Sequence, residues 1–362
     1  MERFVDWFGA LRDPRAPNAR HDFLEVMFIA LVAVLCGAET CSDMALFGRS
    51  KEAWLRKFLD LPHGVPSHDT FSRVFRLLEP EPFEAAFARF TAAFCSALKG
   101  IVAIDGKALR GAFERGRRTN PLHLVNVWAA ETRLVIGQRL APRRNEVAGA
   151  LEAVALLSLE GCIVTADALH CHAAMAKAVI ERGGDYALAL KGNQSELLAD
   201  AQARIDAAAE IDFAQSAAVF AHDRSEMRRA IVIPAADFAQ QHSFPGAQAL
   251  ARVEGYQRRG GREKPAIIRH FILSRMVTAD EMIDIARTHW TIENQLHWVL
   301  DVAFNEDGAR SRKDHGPQNL ALLRKLALNL LRAHPEKGSI RGKIKRAGWD
   351  EDFLNSLLGQ MR

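Results

Sequence analysis

The chain has 362 residues with a formal net charge of +4, and 49% of the residues are hydrophobic while 25% are charged. This composition excludes a disordered or fibrous chain, and the length exceeds one comfortable hydrophobic core, which predicts two or three domains. The longest apolar run, over residues 26–38, is shorter than the roughly 20 residues of a membrane span. We therefore expect a buried core helix there and a cytoplasmic protein with no membrane partner.

The number and spacing of the cysteines exclude a disulfide framework and a CxxC zinc site. The chain has five cysteines, an odd number, and they are scattered and mostly lie within apolar segments. This pattern predicts buried free thiols in a reducing compartment. The five residues are Cys36, Cys41, Cys95, Cys162 and Cys171.

Basic residues concentrate in two blocks. Residues 99–144 carry ten Lys or Arg against three Asp or Glu, and residues 308–347 carry eleven against two. Lys and Arg that neutralise backbone phosphates release counterions, so such blocks suit a nucleic-acid partner. A solvated basic face is the alternative that charge alone leaves open.

The pattern of apolar residues changes once along the first half of the chain. Up to residue 99 the apolar residues recur at three- and four-residue spacing, which predicts an N-terminal all-helical domain. After it come three short β-type runs, IVAID, HLVNVWAA and RLVIGQRLA. A helix over 147–159, the strand CIVTAD, a helix over 173–182 and the strand DYALALK follow.

Three successive strands followed by alternating helix and strand match the order of the ribonuclease H-like fold. The predicted fold class is therefore α/β, a mixed sheet with flanking helices, over residues 100–209 and 280–335. Residues 210–279 read as a strand-rich insertion, which we expect to lie outside the central sheet. Residues 336–362 read as a basic C-terminal tail.

Three acidic residues stand beside apolar segments of this predicted core. Asp105 ends the first strand, Asp167 ends the fourth, and Glu293 lies in a helix between Trp290 and Trp298. Neighbouring strand ends would bring the two aspartates together, although either alone reads equally as a turn or helix-cap residue. An unpaired glutamate on an apolar helix is costly unless a cation neutralises it. Three such carboxylates can hold two divalent cations that clamp the attacking and leaving oxygens of a phosphoryl transfer.

A zinc hydrolase is the competing interpretation of the same helix. His289, Glu293 and His297 share one helical face, and His170 and His172 follow the second aspartate. The HExxH arrangement is missing, however, and eight helical residues span roughly 12 Å, which is too far for one ion. The sequence therefore favours the carboxylate site.

Six segments of the chain, in order, resemble the DDE-type insertion-sequence transposases, specifically the group that includes the H-repeat-associated proteins. The resemblance covers nearly the whole chain. The segments are DPRAPNARHDFLEVMFIALVAVLCGAE, VPSHDTFSRVFRLLEP, IDGKALRGA, NEVAGALEAVALLSLEGCIVTADALH, GDYALALKGNQ, and HWTIENQLHWVLDVAFNEDGARSR followed by NLALLRKLALNLL.

The resemblance implies metal-dependent DNA transposition by a catalytic triad that falls on Asp105, Asp167 and Glu293. These residues would hold two Mg²⁺ ions, with Mn²⁺ as a substitute, because hard oxygen ligands suit these metals. The implied partner is double-stranded DNA, both the element's terminal inverted repeats and the target. We expect a homodimer when the protein is assembled on DNA, and association with the nucleoid in that state.

The wider superfamily often carries an arginine, a tyrosine and a lysine around its glutamate. This chain departs from that signature, because the corresponding positions are His289, Ala286 and Leu300. Other side chains must therefore contact the phosphates of DNA. The candidates are Lys107, Arg110, Lys191, Arg287, His297, Arg310 and Arg312.

The predicted function is DNA strand cleavage and strand transfer at the ends of an insertion sequence. In this reaction a water hydrolyses the bond at the element's end, and the freed 3′-hydroxyl then attacks the target DNA. Two alternatives stay open: a catalytically inactive, transposase-derived DNA-binding protein, and a nuclease of the same fold that cuts without joining.

Overall fold

The computed structural model describes residues 2–94, 98–113, 121–208, 212–221, 224–260 and 262–361. Cys95 and residues 114–120 of the first basic block lie outside the described residues. The helices are α1 (Glu2–Phe8), α2 (Phe23–Leu35), α3 (Cys41–Ser50), α4 (Glu52–Leu55), α5 (His68–Leu77), α6 (Pro80–Ala92), α7 (Glu146–Ala155), α8 (Ala173–Glu181), α9 (Ser195–Ala207), α10 (Phe238–Gln241), α11 (Ala279–His289), α12 (Trp298–Phe304), α13 (Gly316–Ala333), α14 (Ile340–Trp349) and α15 (Glu351–Gly359). The strands are β1 (Gly100–Phe113), β2 (Pro121–Ala129), β3 (Leu134–Leu140), β4 (Cys162–Ala166), β5 (Asp185–Leu190), β6 (Asp212–Gln215), β7 (Val219–Ala221), β8 (Arg224–Pro234), β9 (Ala249–Arg259), β10 (Arg262–Glu263) and β11 (Ile267–Leu273).

The described strands form one mixed sheet. Its order is β3-β2-β1-β4-β5-β11-β9-β8-β6, while β7 pairs with β8 and β10 pairs with β9. Strands β1, β2 and β3 are antiparallel neighbours, and β4 and β5 run parallel to β1. Three antiparallel strands followed by two parallel strands, with helices α7 and α8 around the last two, is the ribonuclease H-like order. The predicted fold class is therefore confirmed.

The strand-rich insertion continues this sheet, so the prediction that it lies outside was wrong. Strand β11 pairs antiparallel with β5, with His270 opposite Leu190 and Leu273 opposite Ala187. Strands β9, β8 and β6 then extend the sheet further. Without β11, β5 would be an edge strand with a row of unpaired backbone groups. Pairing with β11 satisfies those groups and joins the insertion to the core.

Helix α11 returns the chain from the insertion to the core across one face of the sheet. It begins after Thr278, whose side chain accepts a hydrogen bond from a backbone N–H of the first turn. The Ala279 N–H donates to the Asp212 carboxylate of β6 at 2.7 Å. The buried side chains of the helix pack on the extended sheet, namely Met282, Ile283, Ile285 and Ala286 on Ala230, Val253 and Phe271. The insertion therefore supports the helix that leads to Glu293.

The N-terminal helices α1–α6 occupy the region that was predicted to be helical, but they share one core with α12–α15. Most of the predicted basic C-terminal tail, residues 340–349 and 351–359, forms α14 and α15. Apolar residues at three- and four-residue spacing give each of these helices a face that packs into the shared core. The buried ones are Ile344, Ala347, Phe353, Leu354 and Leu357.

The apolar run at residues 26–38 lies mostly in α2, whose side chains are nearly all buried in this core, as expected. Across the described part of the chain, no helix is long and apolar enough to cross a membrane. Cys162 and Cys171 are buried free thiols, and Cys36 and Cys41 are half-buried free thiols.

Candidate active site at a carboxylate cluster

The pairing of β1 with β4 places two of the predicted site residues side by side. The last parallel pair joins Ile104 to Ala166, and the next residues along the two strands are Asp105 and Asp167. Strand β1 does not end at Asp105, however, but continues along β2, where Asp105 lies opposite Asn126. Asp105 therefore marks the point where support from β4 ends, not the end of the strand.

The residue after Asp105 is a glycine because two groups approach it closely. The Gly106 N–H donates to Asp105 Oδ1 at 2.9 Å, which orients that carboxylate. A Cβ at Gly106 would meet the Glu146 carboxylate at 2.3 Å. Glu146 is held in place by His123, whose Nδ1 lies 2.6 Å from its Oε1. The IDGK motif thus packs a small residue between two acids.

Glu293 lies on a π-helical turn over Ile292–His297, between α11 and α12. Such turns are rare and occur mostly at functional sites. The turn brings His297 Nδ1 to 3.5 Å from Asp105 Oδ2 and 3.7 Å from Glu293 Oε2. One ligand atom from each of Asp105, Glu293 and His297 lies within 4.8 Å of the others. A single cation can therefore contact all three residues.

Glu293 does not lie on the largely apolar buried face that its flanking residues had predicted. Glu293 is 53% exposed, and the flanking Trp290 and Trp298 are 41% and 60% exposed, so the glutamate does not lie on a buried apolar face. Its carboxylate instead faces His297, whose Nδ1 lies 3.7 Å away, and Asp105. The buried face of this segment is formed by Ile292, Leu296 and Leu300.

Asp105 is the carboxylate of the cluster whose pKa is raised. Burial raises the pKa of Asp105 to about 8, and repulsion from Asp167 and Glu293 adds to the shift. A divalent cation placed among these carboxylates would favour the ionised form and reverse the shift. The arrangement is therefore suited to a positive ligand that the protein itself does not supply.

Two histidines accompany the other two carboxylates. His289 Nε2 lies 3.6 Å from Asp167 Oδ1, and this contact lowers the pKa of Asp167. His297 likewise lowers the pKa of Glu293. The two imidazoles thus serve different carboxylates, as expected from their spacing, which argues against a shared zinc ion.

The partners that orient these histidines were missed by the sequence analysis. The Asn126 side-chain nitrogen lies 3.2 Å from His297 Nε2, and Thr165 Oγ1 lies 3.0 Å from His289 Nδ1. Asn126 could have been identified from the sequence, because it is a polar residue within an apolar strand, and a buried polar side chain needs a hydrogen-bond partner. His170 and His172, the other histidines of the zinc interpretation, cap or pack beside α8: His172 Nδ1 accepts from the Met175 N–H.

Lys107, predicted to contact phosphate, instead belongs to a buried ion cluster. Its Nζ lies 2.7 Å from Asp301, 3.3 Å from Asp307 and 3.8 Å from Glu306. Burial acts to lower the pKa of Lys107, but these three carboxylates outweigh it and raise the pKa. Lys107 is only 8% exposed, so its ammonium group is not available to contact DNA, and this prediction was wrong. Strand alternation turns it to the same side as Asp105, two residues earlier.

His297 was also predicted to contact DNA phosphates. It is instead buried beside Asp105 and Glu293. The other predicted phosphate contacts lie on the surface. Arg110 is largely exposed and lies 3.5 Å from Asp307, while Arg312 donates from Nε to the Gly111 carbonyl at 3.0 Å. The remaining exposed candidates are Lys191, Arg287 and Arg310.

The second basic block is not a single basic surface. Within it, Arg324, Lys325 and Lys343 are buried. Lys343 Nζ donates to the Leu331 carbonyl at 2.8 Å, and Arg346 pairs with Glu336. A helix that packs on two sides buries some of its basic residues along with its apolar ones. The number of basic residues in the block is therefore larger than the number that a partner can contact.

A cleft of about 750 Å³ opens beside Asp167. Its wall includes Arg269, whose guanidinium lies 4.6 Å from the centre of the Trp290 ring. Other lining residues are Lys191, Asn193, Ile268 and His289. The cleft joins one carboxylate of the cluster to basic and aromatic side chains, a combination that suits a phosphate-bearing ligand.

The donor set of the cluster fits a divalent cation. Asp105 and Glu293 offer hard oxygen ligands, which Mg²⁺ and Mn²⁺ prefer, and His297 adds a nitrogen, whereas Asp167 is not part of this group of ligand atoms.

Two family models match the chain, DDE_Tnp_1-associated over residues 5–91 and Transposase DDE domain over residues 96–330. The chain is 29% identical over 371 residues to "Putative transposase YncI" of Escherichia coli O157:H7, which covers 99% of this chain and 95% of the relative. It is also 29% identical to "H repeat-associated putative transposase YhhI" of Escherichia coli K12, over 99% of this chain and 98% of the relative. An "Uncharacterized protein in dhlA 3′region" of Xanthobacter autotrophicus is 41% identical over 70% of this chain and 89% of its own length. The chain belongs to the DDE transposase family, as the motifs in its sequence predicted.

Proposed function

We propose that this protein cleaves DNA at the ends of an insertion sequence and joins the freed ends to target DNA. The observation that carries the proposal is the convergence of acids from three distant segments. Asp105 and Glu293 have ligand atoms within 4.8 Å of each other, Asp167 follows the parallel strand pair next to Asp105, and the charges of Asp167 and Glu293 add to the burial that raises the pKa of Asp105. Membership of the DDE transposase family supports the class of reaction. The carboxylate cluster supports the choice of catalytic residues.

Asp105, Asp167 and Glu293 would together hold the two metal ions. Bound Mg²⁺, or Mn²⁺ in its place, would stabilise charge on the attacking and leaving oxygens. Asp105 must lose its proton for this role. His289 and His297 orient the outer two carboxylates, and Lys191, Arg110, Arg287, Arg310 and Arg312 are proposed to hold the DNA backbone.

The proposed chemistry consists of two displacements at phosphorus. A water oxygen first attacks the phosphate at the element's end, and the 3′-oxygen leaves and takes up a proton. That 3′-hydroxyl then loses its proton and attacks a target phosphate, releasing a target 3′-oxygen. We propose a homodimer on DNA, since two element ends must be joined, and a site of action on the nucleoid in the cytoplasm.

The test begins with the DNA that flanks the gene, where inverted repeats would identify the substrate. A plasmid carrying these flanks is incubated with Mg²⁺, and nicked and joined products are separated on a gel. Asp105→Asn, Asp167→Asn and Glu293→Gln should each abolish nicking while DNA binding in a gel shift is retained. Asp284→Asn, an exposed aspartate of α11, is the matched control and should nick normally.

The alternatives give different results in the same experiment. Wild-type protein that binds the flanks without nicking them would indicate a catalytically inactive DNA-binding protein. Nicking without joined product would indicate a nuclease. A triad variant that nicks at the wild-type rate would remove that residue from the site.

A further inference from the structure

Three strands of the insertion project beyond the edge of the sheet where the carboxylates lie. Strand β5 ends at Leu190, which pairs with His270 of β11. Strand β11 continues past that point to Ile267, which pairs with Gly255 of β9. Strand β9 continues further to Arg259, paired along its length with β8. Because Asp167 also follows the last pair of β4 with β5, this β8–β9–β11 extension stands beside the site.

Strand register sorts the side chains of this extension onto two faces. Arg269 lies opposite Val253, and Val253 lies opposite Ala230, so these three side chains share the face that α11 covers. Arg228, two residues from Ala230, points to the same face. Its partner Gly255 has no side chain, which leaves the surface open between β8 and β11.

The α11-side face carries arginines in a row that begins at the site. Arg269 lines the cleft beside Asp167 and stacks on Trp290. Burial lowers the pKa of Arg269, attraction from Asp167 opposes that shift, and repulsion from Arg228 adds to it. Arg269 is therefore within electrostatic reach of both residues. Arg259, on the same face by alternation, is exposed at the outer end of the row.

Arginines on the opposite face are occupied by internal partners. Arg252 pairs with Asp206 at 2.7 Å and with Glu254 at 3.1 Å. Arg229 donates to Gln215 at 2.8 Å and lies 5.1 Å from the Tyr256 ring centre. On the α11-side face, Arg228 contacts Glu226 at 3.5 Å, a partly exposed pair of the kind that contributes little to stability. A phosphate can compete for such an arginine.

We infer that Arg269, Arg228 and Arg259 form a phosphate track that holds the backbone of the DNA duplex adjoining the cleaved bond. This inference rests on the proposed function and adds a surface to it that lies outside both basic blocks. The track begins at the carboxylates, where the reacting phosphate must lie, and continues along one sheet face. Phosphate contacts of this type position the duplex without reading its bases.

Binding of a fluorescein-labelled DNA duplex, measured by anisotropy over a salt series, tests the track. Each phosphate contact contributes about 0.9 to the slope of log affinity against log salt. The double variant Arg228→Gln with Arg269→Gln should therefore lower the slope by about 2, and Arg228→Gln alone by about 1. Arg228→Gln leaves the stack of Arg269 on Trp290 in place, so the single variant keeps the test valid if loss of that stack disturbs folding.

The matched control is Arg229→Gln, which removes the same charge from the next residue on the opposite face. It should leave the slope unchanged. A wild-type slope in both test variants, or an equal loss in Arg229→Gln, would overturn the track. A wild-type protein that binds no duplex at all would overturn the proposed function with it, whereas steep wild-type binding with unaffected variants would overturn the track alone.

Discussion

Two clusters of acidic residues meet β1 two residues apart, one at Asp105 and the other at Lys107. They differ in which side chains lie next to the acids. The carboxylate cluster of Asp105, Asp167 and Glu293 is met by two histidines. The ion cluster of Asp301, Glu306 and Asp307 is met by Lys107 and Lys325, with Lys325 Nζ lying 3.8 Å from Glu306. Both hold three acids, but the second has lysine ammonium groups within 4 Å of its carboxylates, whereas the first has imidazoles at that distance.

A count of acids does not identify a metal site. In the ion cluster, Lys107, Lys325 and Arg110 lie beside the three acids, whose carboxylates link β1 to α12 and to the segment after it. In the carboxylate cluster, burial and then the charges of Asp167 and Glu293 raise the pKa of Asp105 to about 8. A cluster that lacks internal cations is the one suited to bind an external cation.

The largest expected effect comes from removing an internal cation. Lys325→Met should lower the free energy of unfolding by about 3–5 kcal/mol, because it leaves Glu306 buried with less compensation. Glu306 is 1% exposed, and neither of its oxygens accepts a hydrogen bond from the described residues. Urea denaturation measures the change. Adding Glu306→Gln to Lys325→Met should restore part of the loss; a double variant no more stable than the single one would contradict the charge-balance account.

Removing a carboxylate from the other cluster should have the opposite sign. Because the pKa of Asp105 is about 8 in the folded protein and near 4 when unfolded, the folded state binds one more proton between these pH values. Stability of the metal-free protein should therefore fall as pH rises from 4 to 8. Asp105→Asn should stabilise the metal-free protein at pH 8 by on the order of 1–3 kcal/mol.

Thermal unfolding with EDTA at pH 5 and pH 8 measures this effect, with Asp284→Asn as the matched surface control. The advantage of Asp105→Asn should be smaller at pH 5, where Asp105 is protonated in the folded state. Equal destabilisation at both pH values would show that Asp105 does not carry excess charge.

The smallest effect is expected at the rim of the ion cluster. Arg110 is 81% exposed and 3.5 Å from Asp307. Arg110→Ala should change the free energy of unfolding by less than about 0.5 kcal/mol, because exposed pairs are screened by water. The same urea titration measures it, and a loss near that of Lys325→Met would show that the cluster extends to the surface.

Part of the site was predictable from strand order alone. Neighbouring parallel strands end at the same edge, so Asp105 and Asp167 had to lie close together once β1 and β4 were recognised. The inward direction of Lys107 was also available, since it shares the strand face of Asp105. The many basic residues around Lys107 in the sequence favoured a surface position instead.

Other features depend on contacts between distant segments. Nothing within β5 or β11 specifies that they pair, because an edge strand can be covered in several ways. The π turn at Glu293 and the contact between Asn126 and His297 likewise depend on how α11 lies on the finished sheet. The buried side of α13 joins two segments far apart in the chain, so no local pattern separated its buried Lys325 from a surface lysine.

The most direct test of the central claim is calorimetric titration of the metal-free protein with Mn²⁺ at pH 7 in buffers of different ionisation enthalpy. Metal binding should be accompanied by release of about one proton, because Asp105 with a pKa of about 8 is mostly protonated at this pH. Asp105→Asn should lose both the binding heat and the proton release, while Asp301→Asn in the ion cluster should keep them. Binding that is unchanged in Asp105→Asn, or no binding by the wild-type protein, would contradict the assignment of the carboxylate cluster as the metal centre.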